Sequence, residues 1–198
     1  SSAASDVYKR QQEILAQYSG WGGLSDAFEP NKDSWHSEYT ELKSLLTEEE
    51  YAAARSSTLT AFYTPPEVID AMYTTLRKMG VGAGTILEPS MGAGAFFGQS
   101  HSYLYEPTTR LFGVELDSLT GRIARQLYQK ANIQITGFEK ADLPDSFFDV
   151  VIGNVPFGDY SVVDPQYNRL HFKIHDYFFA KSIDKLRTGG IIAFITTS

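Results

Sequence analysis

Short apolar runs alternate with amphipathic stretches through the last two thirds of the chain. The runs at residues 85–88, 111–115, 133–136, 149–153 and 191–195 are rich in Ile, Leu, Val and Phe. Runs of that length predict strands buried on both faces. The stretches between them carry helix signals. Thr64-Pro65-Pro66-Glu67 reads as a capping box with proline at the first helical position, and Gly80 as the stop of that helix. Further helices are predicted over 118–130 and 174–186. Strand-helix alternation of this kind predicts an α/β fold, a doubly wound and mostly parallel sheet. The last run is apolar on both faces, which suits a sheet interior better than a bare edge.

The first 60 residues have a different pattern. Val7, Ile14, Leu15 and Tyr18 fall at helical spacing, and Gly20-Trp21-Gly22-Gly23 is expected to stop that helix. A second helix is predicted over 38–46. Thr47-Glu48-Glu49-Glu50 is a capping box that opens a third. The expected organisation is a helical extension at 1–60 and an α/β unit at 61–198. The chain begins Ser-Ser-Ala-Ala, without methionine, and ends just past its fifth predicted strand. It therefore reads as a piece of a longer protein, with its sheet truncated at the C-terminus.

Composition narrows the function classes. The 198 residues are 42% hydrophobic and 14% aromatic, as expected of a folded domain. The absence of cysteine excludes disulfides, thiolate zinc sites and cysteine nucleophiles, and fits a reducing compartment. No apolar run approaches the ~18 residues of a membrane span, so a cytoplasmic protein without a membrane partner is expected. The net charge is −7; residues 1–60 hold ten acids and five bases, residues 61–198 fourteen and twelve. Duplex DNA repels such a surface, and this chain alone is expected to bind DNA weakly. Arg169, Lys173, Lys181, Lys185 and Arg187, with His171 and His175 among them, form either a solvated mixed-charge helix face or a phosphate-facing patch.

Two strand ends carry the chemistry. The first is Ile86-Leu87-Glu88-Pro89-Ser90-Met91-Gly92-Ala93-Gly94, where a strand opens into a glycine loop. Gly92 and Gly94 let the backbone approach a ligand, although a plain strand-helix turn has the same appearance. Glu115 closes the next strand, and a carboxylate there can accept both ribose hydroxyls of an adenosine group. Asp117 is assigned the cap of the following helix. The second strand end is Val150-Val151-Ile152-Gly153-Asn154-Val155-Pro156-Phe157-Gly158. An exocyclic amine is a poor nucleophile because its lone pair is delocalised. Two acceptors aimed at its hydrogens pull it towards tetrahedral geometry. The Asn154 side-chain oxygen and the carbonyl of residue 155 can supply them, and Phe157 offers a stacking face for a flipped base. That chemistry needs no metal. Read blandly, the segment is an Asn-Pro turn after a strand.

Together these segments resemble the S-adenosylmethionine-dependent amino-methyltransferases, most closely the N6-adenine DNA methyltransferases. The resemblance covers about residues 60–198. It implies a Rossmann-like methyltransferase sheet with S-adenosylmethionine as cofactor. Ala61-Phe62-Tyr63-Thr64-Pro65-Pro66-Glu67-Val68-Ile69 resembles the segment that holds the methionine end, through Tyr63 and Thr64, although capping alone also explains Thr64. Glu88, Pro89, Gly92 and Gly94 then belong to the cofactor loop. The cofactor adenine is to be read between the third and fourth strands, where Phe138 packs and either Glu139 or Asp142 accepts from its amine.

The resemblance also assigns Asn154, Val155, Pro156 and Phe157 to the catalytic loop. That family's pattern is Asn/Asp-Pro-Pro-aromatic, and Val155 departs from it. The backbone carbonyl survives the change, so Val155→Pro is expected to keep or raise activity. His175-Asp176-Tyr177-Phe178-Phe179 either brings an aromatic to the base or forms a core stripe. Tyr18-Ser19-Gly20-Trp21-Gly22-Gly23-Leu24 is similar to a stretch of large plasmid, phage and conjugative-element proteins that fuse a methylase-like module to a helicase. Without that likeness it is a glycine turn around a buried tryptophan. The implied function is methylation of adenine N6 in DNA, within a larger protein whose recognition and helicase segments engage the DNA. The alternatives are a cofactor-binding or scaffolding module without methylation, and a protein glutamine N-methyltransferase.

Overall fold

The computed structural model describes residues 2–58 and 63–196, without the side chains of 2–7. Val7 and the Ala61-Phe62 start of the methionine-site segment therefore lie outside the described side chains. In the extension, α1 (Ser2–Leu15) leads through two 3-10 turns to α2 (His36–Leu45), and α3 (Glu48–Ser57) follows α2 directly. The first helix stops earlier than its glycines suggested. Tight turns carry Ile14–Tyr18, with Gln17 N–H donating to Ile14 O at 3.1 Å, and Gly20 at φ 89° then redirects the chain. Ile14 is 61% exposed, so the apolar spacing there marks no buried face. The Thr47 capping box forms: Glu50 N–H donates to Thr47 Oγ1 at 3.2 Å and Thr47 N–H to Glu50 Oε2 at 3.0 Å. Phe28, Tyr51, Ala27 and Ala54 make a small core against which Trp21 packs.

The α/β unit begins with α4 (Pro66–Lys78), β1 (Thr85–Glu88) and α5 (Ala95–Ser100). There follow β2 (Arg110–Glu115), α6 (Ser118–Leu127), β3 (Asn132–Ile135), β4 (Phe148–Asn154), α7 (Ile174–Lys185) and β5 (Leu186–Ile195). Pro66 does stand at the start of α4, but the expected capping box does not form. The N-cap is Pro65, without a side-chain cap bond, and Thr64 faces elsewhere. At the other end Val81 N–H donates to Leu76 O and Gly80 N–H to Arg77 O, both at 3.0 Å, with Gly80 at φ 94°. That is the Schellman stop the glycine predicted. β5 starts earlier than its apolar run. Leu186 pairs with Phe148, the register shifts, and Ile191 pairs with Val150. The polar Arg187-Thr188-Gly189-Gly190 bulge hid that start.

All five strands are parallel, in the order β3-β2-β1-β4-β5. The period-two alternation sorts side chains onto two cores. Ile86, Val150 and Ile152 pack against Ile69, Tyr73 and Leu76 of α4 and Phe96 of α5. Leu87 and Val151 pack against Ile174, Tyr177 and Phe178 of α7 on the opposite face. Tyr177 and Phe178 of the α7 stripe are thus core, and Phe178 also reaches the cavity described below. Helices cover both faces, which is why the strands read as continuous apolar runs. The chain runs outward from β1 to β3 and then returns to lay β4 on the other side of β1. That reversal opens a crevice at the carboxyl ends of β1 and β4, where such sheets bind ligands.

Neither reading of the basic cluster holds for α7. Lys181 and Lys185 are buried, at 6% and 8% exposure, and pair with Asp164 at 2.9 Å and Asp145 at 2.6 Å. Lys173 pairs with Asp159 at 3.0 Å, and Arg187 with Asp149. No helix among the described residues is long and apolar enough to cross a membrane.

Candidate active site

The two loops predicted to carry the chemistry meet at that crevice. Ser90 Oγ donates to Asn154 O at 2.8 Å, tying the loop after β1 to the end of β4. Met91 N–H donates to Val114 O at 2.9 Å and ties it to β2. Gly92 and Gly94 are both left-handed, at φ 55° and 89°. A Cβ on Gly94 would strike the Tyr128 ring, whereas at Gly92 it would meet open space. Only glycine meets the first demand, and the second leaves backbone bare to a ligand.

A cavity of about 910 Å³ runs along this crevice. Tyr63, Thr64, Glu88, Pro89, Gly92, Glu115, Phe138, Glu139, Asn154 and Pro156 all line it. Asp142 does not. Its backbone is exchanged with the Gln134 side chain at 2.6 and 2.8 Å on the outside of β3. Of the two acids open at the sequence level, the structure brings Glu139 to the cavity.

Two carboxyls dominate the electrostatics. Glu115 Oε2 accepts from Gly92 N–H and Oε1 from Asp117 N–H, each at 2.8 Å. Burial pushes its pKa up to about 7, although the Asp117 and Gly92 N–H groups pull the other way. Glu88 is 2% exposed, and its Oε2 has no partner among the described residues. Burial, then the neighbouring Glu115, drive its pKa well above the carboxylate range. A bound cation would relieve both groups. Asp117 caps α6 as predicted, its Oδ2 accepting from Thr120 N–H at 3.0 Å.

On the substrate side Asn154 Nδ2 donates to Thr64 Oγ1 at 3.2 Å. The Thr64 hydroxyl holds the amide nitrogen of Asn154 rather than capping α4. The Val155 side chain points away into the core at 1% exposure, beside Leu87 and Phe138. Its N–H donates to Ile195 O at 3.2 Å, continuing the β4–β5 ladder. That sets a structural cost on Val155→Pro beside its expected effect on activity. Proline removes the donor and the branched side chain together. Unfolding free energy measured in urea should fall by ~1–3 kcal/mol, the cost of leaving such an acceptor unpaired.

Phe157 is half-buried and does not line the cavity; Tyr160 and Tyr63 do, at 43% and 65% exposure. The Asn-x-Pro-aromatic pattern ends at Phe157, and Tyr160 lies three residues beyond it. The motifs do not mark Leu116 either. It is 76% exposed on the cavity wall beside Glu115, and an apolar residue stranded between two acids was the available signal.

The sequence pattern of the N-6 DNA Methylase family matches residues 45–197. The chain belongs to that family. A curated relative is the Defense against restriction protein B of Escherichia phage P1, 26% identical over 190 residues. The match takes in 93% of this chain and 7% of the phage protein. Among solved structures, the type I restriction-modification methyltransferase subunit of Streptococcus thermophilus superposes with a TM-score of 0.54 at 18% identity, over 82% of this chain and 43% of that one. A putative class I S-adenosylmethionine-dependent methyltransferase from Listeria monocytogenes gives 0.55 at 16%, over 90% and 64%. These neighbours establish a Rossmann-like methyltransferase fold.

The cofactor of the N-6 DNA methylase family is S-adenosylmethionine, and the cavity suits it. Were it bound there, Glu115 would present a carboxylate to ribose hydroxyls, the backbone at Gly92 would admit close approach, and Glu88 would present a buried acceptor to a cationic group.

Proposed function

We propose that this chain is the methyl-transfer module of a DNA adenine N6-methyltransferase that works within a larger protein. The observation that carries the reading is the Thr64–Asn154 hydrogen bond, which aims the Asn154 amide into the cavity that also holds Glu88, Gly92 and Glu115. S-adenosylmethionine supplies an electrophilic methyl group. The Asn154 side-chain oxygen and the carbonyl of Val155 accept the two amine hydrogens of adenine and free its lone pair. The proton leaves easily once the nitrogen carries four bonds. Tyr160 and Tyr63, exposed on the wall, are the stacking faces for a flipped base. Recognition of DNA falls to other segments of the larger protein. The phage relative, of which this chain spans a small part, supports a mobile-element setting and with it a cytoplasmic site of action.

Incubation of the parent protein with DNA and S-adenosylmethionine, read by methylation-sensitive sequencing, tests the reading; N6-methyladenine at a defined site is the expected product. A module that binds the cofactor without transferring methyl is the second reading, favoured by the place of Phe157 outside the cavity. It takes over if cofactor binds and no DNA is methylated.

Cofactor binding has its own expected signature. Glu115→Ala should weaken S-adenosylmethionine by ~1–3 kcal/mol, the scale of hydrogen bonds to a charged acceptor. An ionised carboxylate accepts ribose hydroxyls better than a neutral one. Because the Glu115 pKa is raised to about 7, affinity should rise between about pH 6 and pH 8. The ligand-free protein should move the other way. A raised folded-state pKa favours the protonated form, so its stabilising contribution is fully present below about pH 4.5 and is lost as pH rises from there to about 7. Calorimetric titration between about pH 6 and pH 8 and thermal unfolding between about pH 4 and pH 8 check the two slopes.

A further inference from the structure

The turn around Trp21 is joined to the cofactor cavity. Gln17, Tyr18, Gly20 and Trp21 line it together with Glu115 and Asp117. The Tyr18 hydroxyl lies 2.7 Å from Thr120 Oγ1, across 102 residues of sequence. Thr120 Oγ1 in turn donates to Asp117 Oδ2, so its lone pair is left to accept and the Tyr18 O–H is the donor. Asp117 N–H donates to Glu115 Oε1 at 2.8 Å. One hydrogen-bond chain therefore runs Tyr18–Thr120–Asp117–Glu115. Asp117 is 5% exposed, and its second oxygen, Oδ1, is buried with no partner among the described residues. A carboxylate with one oxygen bound twice and the other unsatisfied is poised for a further donor.

We propose that the Tyr18–Trp21 turn is a wall of the cofactor site, and that Tyr18 is a positioning residue for the acid pair that binds the ribose. Tyr18 acts through Thr120: its hydroxyl holds Thr120 so that Asp117 presents Oδ1, and Glu115 its carboxylate, to the two ribose hydroxyls. The aromatic contacts of Tyr18 with Trp21 and of Trp21 with Phe28, at 5.9 and 5.6 Å between ring centroids, seat the turn independently of that hydroxyl. The extension is then part of the cofactor site rather than an appendage to it. This inference rests on S-adenosylmethionine as the ligand of the cavity.

Tyr18→Phe removes the hydroxyl and keeps the ring. Calorimetry with S-adenosylhomocysteine and its 2′-deoxy counterpart, on the whole chain, separates positioning from simple seating of the wall. The variant should bind S-adenosylhomocysteine about tenfold more weakly, the scale of one lost hydrogen bond to a charged network. It should also lose most of the wild-type preference for the ribose over the deoxyribose ligand. Equal weakening towards both ligands, or no weakening, overturns the positioning role. Failure of the wild type to bind either ligand overturns the cofactor assignment itself, and the inference with it.

Discussion

Asn154→Ala should abolish methyl transfer by the parent protein while leaving S-adenosylmethionine affinity nearly unchanged. Asn154 lines the cavity at the end of β4, and its amide nitrogen is held by Thr64. The acceptor it offers matters only as the target amine approaches tetrahedral geometry. An interaction made mainly in the transition state lowers turnover and not ligand affinity. A loss of about a hundredfold or more is expected, as for other single donors or acceptors that stabilise developing charge. Radiolabelled methyl transfer and calorimetry on the same preparation separate the two quantities. Normal methylation by the variant would refute the proposed role of the loop. Thr64→Val should lower turnover less, since the amide survives but loses its bond to the Thr64 hydroxyl.

Lys181→Ala should be the most damaging change to stability. The Lys181 ammonium and the Asp164 carboxylate meet at 2.9 Å with both side chains 8% exposed. Tyr177 O–H donates to the same Asp164 oxygen at 2.6 Å, and Lys181 also donates to Glu139 O at 3.3 Å. This cluster pins the long segment after β4 onto α7 and holds the Phe138–Glu139 wall of the cavity. Removing one partner strands a buried charge, which costs ~3–5 kcal/mol. The denaturant midpoint should fall accordingly, and cofactor affinity with it. Burial works against the Asp164 charge, but hydrogen bonds from Tyr177 and Lys181 outweigh it and hold its pKa below the usual range. A depressed folded-state pKa stabilises at neutral pH, and that contribution is lost as pH falls below about 4. Replacing both partners with apolar residues of similar volume should recover much of the lost stability, because no charge is then left buried alone.

Glu115 and Asn154 were legible because each closes an apolar strand, and strand ends in a parallel sheet converge on the crevice. Asp117 was legible because capping is local: its acceptor serves the N–H three residues on. Thr64 was read as a cap for the same reason, and there the local rule misled. Its hydroxyl meets Asn154 across 90 residues, a distance in sequence no spacing rule spans. Lys181 looked solvated because charged side chains usually are. Its partner lies seventeen residues away in an irregular segment.

What the sequence by itself determined about this protein is the order of its elements and the chemistry at their ends. Burial on both faces demands apolar runs, and left-handed turns demand glycine, so these requirements are written locally along the chain. Only the tertiary structure decided which side chains face one another across the crevice. It turned Val155 into the core, placed Tyr160 rather than Phe157 on the wall, buried two lysines that composition would leave in water, and brought Tyr18 to Thr120. Each of those outcomes depends on contacts between segments far apart in sequence, where packing and hydrogen-bond satisfaction outweigh local propensity.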